Sequence, residues 1–182
     1  MARLPYVDPA TAPEAVRELL DQLPVKLNVF RMMAHAENGF RPLVALGSAI
    51  LARQQLDAKL RELVILRIAQ LSPSRYEWTQ HVPIAHATGA TEAQVAALER
   101  GDANADCFDP LERLVLRFAT EVVRDVRASD ATFAELAKRL SPREIVELLL
   151  TVGYYMMIAR LLESTAVDVD PPAGTRVIDS LR

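Results

Sequence analysis

One cysteine, Cys107, stands in a chain of 182 residues. No disulfide can close within a single copy and no thiolate cluster can gather a metal, so both are excluded as devices holding the fold. A reducing, cytoplasmic setting is expected from that. Charge of one sign is also lacking: the formal net charge is -3, with Lys and Arg mixed among acids along every segment. Without a basic stripe to neutralise a phosphate backbone, nucleic acid is not an expected partner. Long hydrophobic runs are missing too. The most apolar stretch, Leu148 to Ala159, is closed off by Glu147 and Arg160 and falls short of a bilayer span. The start, Met1-Ala2-Arg3-Leu4-Pro5, has no apolar signal-peptide core, so no membrane association is expected. Nor does any run alternate with period two, which leaves a sheet without a source.

What is present is helical periodicity broken by start and stop signals. A short helix is expected from Pro13 to Gln22, stopped by Pro24, then a brief apolar helix before Asn38-Gly39. Phe40 to Arg53 carries Leu43, Leu46, Gly47, Ile50 and Leu51 at three- and four-residue intervals, the face of a first long helix. The segment Asp57 to Leu71 is apolar on more than one side, which predicts a central helix. Pro73 is read as stopping it and opening the next helix, to Thr88. Three further starts carry a hydroxyl or acid followed three positions on by Glu or Gln: Thr91-Gln94, Asp109-Glu112 and Ser141-Glu144. They predict helices to Gly101, Val126 and Ser164, with a shorter one from Asp130 to Leu140 between the last two. The expected organisation is a loose arm over 1–12, one all-helical domain over 13–165, and a loose or swapped tail over 166–182.

Glu77 and His81 are four residues apart, so a helix puts them on one face with Cβ atoms about 5–6 Å apart. A carboxylate that close can fix the tautomer of the imidazole and leave its other nitrogen as acid or base. Glu62 precedes Ser74 by twelve residues, and a hairpin of the two helices brings its carboxylate toward the same space. His86 falls on another face and is read as solvated, while His35, at a helix end, is read as structural. Glu62, Glu77 and His81 would also offer zinc or iron a mixed set of ligands, but no recognised metal signature accompanies them, and no cofactor is expected. Cys107 has no neighbouring cation in sequence and is read as inert.

The run Arg61-Glu62-Leu63-Val64-Ile65-Leu66-Arg67, then Ser74-Arg75-Tyr76-Glu77-Trp78-Thr79-Gln80-His81 and Ala87-x-Gly89-Ala90-Thr91 resembles the carboxymuconolactone decarboxylase and alkylhydroperoxidase D-like superfamily. The upstream Asn28 to His35 resembles its lead-in segment, and the likeness covers roughly residues 25 to 165. The resemblance implies an all-α, single-domain, alkylhydroperoxidase D-like helical bundle whose hairpins pack into a homodimer, trimer or hexamer. It also implies that Glu62 and His81 form a proton relay beside a cysteine pair. Here Ser74 and Glu77 replace both cysteines. A serine hydroxyl forms no thiolate and closes no disulfide with a carboxylate, so the hydroperoxide reductase activity of the redox branch is not expected. The decarboxylase branch, with an acid four residues before the histidine, is the better local match. That implies a cofactor-independent acid and base enzyme on a small organic acid or lactone. His81 would transfer the proton, Glu77 orient it and Glu62 relay. Ser74, Tyr76 and Arg75 would bind substrate, with Arg160 a second candidate cation. A redox-dead binding or regulatory protein on the same scaffold is the alternative.

Overall fold

The computed structural model describes residues 1–176, which form nine α-helices and no strand. In chain order these are α1 (Glu14–Gln22), α2 (Asn28–Met33), α3 (Glu37–Ala52), α4 (Ala58–Leu71), α5 (Arg75–Ala87), α6 (Glu92–Glu99), α7 (Pro110–Asp125), α8 (Asp130–Leu136) and α9 (Pro142–Thr165).

Helix α4 is central because it is apolar all round, and every residue from Leu60 to Ala69 is buried. It packs against α5, α7 and α9. Val64, Ile65 and Ile68 meet Phe118 of α7 and Leu148 and Val152 of α9 in one core, while Leu63 and Leu66 meet Ala85, Leu98 and Phe108 in another. A third core, built on Leu20, Met33, Phe40 and Leu162, joins α1 to α3 with the end of α9. The three start signals all form capping boxes, Thr91 with Gln94, Asp109 with Glu112, and Ser141 with Glu144. Each satisfies two backbone donors that a helix start otherwise leaves open, contributing about 1 kcal/mol.

Several expectations are corrected. Helix α3 begins at Glu37, so Asn38 and Gly39 lie in its first turn and not in a turn before it. Helix α5 begins at Arg75, with Ser74 as its N-cap and Pro73 in the turn, where Ser74 N–H donates back to the Ala69 carbonyl. Helix α8 ends at Leu136, ahead of a turn to Leu140. By length and composition alone α9 is long and apolar enough to cross a bilayer, beyond what the Leu148–Ala159 run indicated. Its inward face instead packs on α4, α7 and α3.

The terminal segments are docked. Arg3 N–H donates to the Thr165 carbonyl at 2.8 Å, and the Tyr6 hydroxyl donates to Asp168 at 2.9 Å. Asp170 accepts from Asn28 N–H at 2.7 Å and from the Tyr76 hydroxyl. Gln80 Nε2 donates to the Asp170 carbonyl at 2.9 Å, and Ala173 N–H donates to Gln80 Oε1 at 3.0 Å. The arm and the tail up to residue 176 therefore brace one another and α5; the rest of the predicted tail, 177–182, lies outside the described residues.

Candidate active site

The α4–α5 hairpin brings its acids and its imidazole together in the interior. Glu62 is 0% exposed, Glu77 2% and His81 7%. His81 Nδ1 donates to Glu62 Oε2 at 2.8 Å, and Arg61 Nε donates to Glu62 Oε1 at 2.9 Å. Glu62 thus accepts on both oxygens, and the neutral imidazole carries its proton on Nδ1 and keeps Nε2 as a lone pair. Nε2 has no hydrogen-bond partner among the described residues. Tyr155 of α9 fixes the ring from the side, edge to face, with centroids 4.9 Å apart.

His81, Glu77, Tyr154 and Tyr155 line a cavity of about 110 Å³ whose remaining wall is mainly apolar, including Val29, Met33 and Ile158. Among the described residues neither oxygen of Glu77 finds a hydrogen-bond partner, nor does the Ser74 hydroxyl beside it, although all three atoms are fully buried. Burial pushes the Glu77 carboxyl well above the usual carboxylate range; the nearby Ser74 hydroxyl opposes that in part, and the charge of Glu163 adds to it. Burial also raises the Tyr155 hydroxyl well above its ordinary value, with Glu62 adding, and takes Tyr154 up to about 12, with Glu77 adding.

The acid expected to orient the imidazole is not the one in contact with it. Glu62 across the hairpin, and not Glu77 one turn away, holds the imidazole, because the crossing of α4 and α5 aims it at Nδ1. Arg75 is exposed and does not line the cavity, being on the outer side of α5. Arg160 is exposed as well and donates to the Met156 carbonyl. Tyr76 lines the cavity by its ring, its hydroxyl being engaged with Asp170. Ser74 borders Glu77 without reaching the cavity wall. His35 and His86 hold loops through the carbonyls of Pro5 and Ala90, at 2.7 and 3.0 Å. Cys107 lies away from the cavity in the loop before α7, its thiol donating to the Ala93 carbonyl. No group of three or more His, Cys, Asp or Glu side chains among the described residues is placed to hold a metal ion. Arg61 and Tyr155 were missed in the sequence. Arg61 adjoins Glu62 and could have been noticed as its counter-ion, whereas Tyr155 has no local signal.

This segment also carries the family relation. Residues 38–121, from the start of α3 through most of α7, match the model of the carboxymuconolactone decarboxylase family. Ser74 and Glu77, at the positions where the resemblance drawn from the sequence implies a cysteine pair, fall inside the matched span. No curated protein matches the sequence. Among solved structures, the alkylhydroperoxidase AhpD core of a peroxidase-related protein from Ralstonia eutropha JMP134 is 19% identical with a TM-score of 0.78, covering 100% of this chain and 97% of that one. A peroxidase-related protein from Silicibacter sp. TM1040 is 18% identical with a TM-score of 0.77, covering 100% and 96%. A variant of the debrominase Bmp8 in complex with 2,3,4-tribromopyrrole is 18% identical with a TM-score of 0.75, covering 100% of both chains. At these identities the likeness establishes the fold.

Proposed function

We propose that this protein is an enzyme of general acid and base chemistry acting on a small lactone or organic acid, with His81 moving the proton. One observation carries the reading: an imidazole whose Nδ1 is committed to Glu62 and whose Nε2 is free in a mainly apolar cavity. In a decarboxylation of this kind the carbon–carboxylate bond breaks, carbon dioxide leaves, and the electron pair stays on the substrate carbon. That carbon then takes the Nε2 proton of His81 in its imidazolium form, which leaves the Nδ1–H imidazole, and solvent returns a proton to Nε2 before the next cycle. Glu62 positions the ring and balances its charge. Glu77, kept neutral by burial, offers the substrate one hydrogen-bond donor and one acceptor.

The cavity suits a small ring. At about 110 Å³ it is smaller than the apolar cavity of about 150 Å³ that admits benzene, so a ring of five or six atoms without bulky substituents is its upper limit. Hydroperoxide reduction by a cysteine pair is not part of the proposal, since Ser74 and Glu77 supply no sulfur and Cys107 is remote.

The test is turnover of a panel of lactone acids by the wild type, His81→Ala and Glu77→Gln. Loss of the proton-transfer group is expected to lower kcat by about 10²–10⁴-fold in His81→Ala, with a smaller loss in Glu77→Gln. Turnover at the wild-type level in both variants contradicts the proposal.

A further inference from the structure

Among the described residues no lysine or arginine lines the His81 cavity, so a substrate carboxylate finds no counter-charge from them there. A cation does stand on the far side of Glu62. Arg61 is 5% exposed, its Nε donates to Glu62, and its two terminal nitrogens make no hydrogen bond among the described residues. A guanidinium presents five N–H donors in a planar fork, so a single bond to Glu62 leaves most of them unused on a largely desolvated charge. The Arg61 side chain lines a second, more polar recess of about 330 Å³, together with Gln54, Asp57, Thr88 and Thr175. Leu51 and Ile84 line both the recess and the His81 cavity, which makes the two chambers neighbours.

We infer that Arg61 is the anchor of an anion site in this recess, and that its ligand is the carboxylate of a small organic acid. The planar fork matches a carboxylate through two parallel hydrogen bonds. The Asp57 carboxylate, which caps α4 by accepting from Leu60 N–H, lines the same recess, and Glu62 already pairs with Nε, so two acids stand around this one cation. A ligand there is held by the unused N–H donors of the fork and not by surplus positive charge, which disfavours a phosphate dianion. With Nε on Glu62 and the remaining fork on the ligand, Arg61 joins the bound carboxylate to the Glu62–His81 pair in one line of hydrogen bonds. The choice of a ring acid as ligand rests on the acid and base reading of the site.

The experiment is calorimetric titration of the full chain at constant pH with 2-furoate and with its methyl ester, which keeps the ring and removes the charge. Furoate is expected to bind at least about tenfold tighter than the ester, the scale of a charge-assisted pair. Arg61→Gln is expected to abolish that preference and Arg61→Lys to keep part of it, with circular dichroism confirming helix content. Should Arg61→Gln fail to fold, the acid-to-ester ratio of the wild type and Thr88→Trp, which fills the recess from the end of α5, carry the test; Thr88→Trp is expected to weaken furoate similarly. Equal affinity for acid and ester, no furoate binding in the millimolar range, or unchanged furoate binding in Arg61→Gln or Thr88→Trp overturns the inference. Because binding is read without turnover, His81→Ala separates the two readings: it is expected to bind furoate while losing activity on the lactone acids.

Discussion

Glu77 is a carboxyl group with no hydrogen-bond partner among the described residues, in a nearly dry place, and that gives it a signature in solution. In the unfolded chain it loses its proton near its ordinary value of 4.5, whereas burial holds the proton to a much higher pH in the folded chain. Between those two points the folded state binds more protons than the unfolded state, so this group's contribution to stability falls as pH rises above about 4.5. Glu77→Gln removes the titration. The variant's Tm minus that of the wild type is expected to grow with pH across that window and to level off once Glu77 ionises in the folded protein; a difference independent of pH contradicts its burial as a neutral acid. Gly47 carries a second consequence, since a Cβ there would lie 2.5 Å from the Tyr154 hydroxyl, at the wall of the same cavity. Gly47→Ala is expected to cost about 1–3 kcal/mol in a denaturant melt, with Tyr154→Phe in the same chain recovering part of it. An alanine tolerated without loss would mean that α3 and α9 do not approach this closely. At this scale Glu62, Glu77 and His81 were legible because a four-residue spacing and a familiar motif mark them. Which acid grips the imidazole was not, since local spacing offers Glu77 and only the crossing of two helices selects Glu62.

Helix boundaries were legible wherever the chemistry of the start is local. Thr91, Asp109 and Ser141 each have their Glu or Gln three residues on, and each closes a capping box. The start of α3 was missed because Ala36 caps it with no side-chain bond to announce it. The docking of both termini was invisible for the opposite reason. Asp168 and Asp170 find their partners in Tyr6, Asn28 and Tyr76, more than ninety residues away in sequence, and no pattern encodes such pairings. Asp170→Ala removes the acceptor shared by Asn28 and Tyr76, next to residues that line the cavity. Hydrogen exchange at residues 168–174 is expected to speed up by about tenfold or more in that variant while the core of α4 stays protected. Unchanged exchange in the tail would show that apolar packing of Val167 and Ala173 holds it without the aspartate.

Seen as a whole, the molecule buries one face of its longest helix and leaves the other bare. Val146, Leu149, Leu150 and Met157 of α9 are exposed at helical spacing, and Phe133 of α8 is exposed beside Leu149. A homo-oligomer closed on this stripe is the proposal that accounts for it, because patches of this kind mark association surfaces. Light scattering at micromolar concentration is expected to give a multiple of the 20.2 kDa chain mass, falling toward one chain in Leu150→Glu; a monomeric wild type contradicts it. The all-helical class was legible from periodicity alone, whereas the unburied side of α9 became visible only once its neighbours were placed. All three scales converge on the hairpin that sets Glu62 against His81 and leaves Nε2 open to the cavity. Nitrogen-15 NMR of histidine-labelled protein reads this directly. Neutral His81 is expected as the Nδ1–H tautomer in the wild type, with that preference lost in Glu62→Ala; an Nε2–H tautomer, or the same spectrum in both proteins, would contradict it.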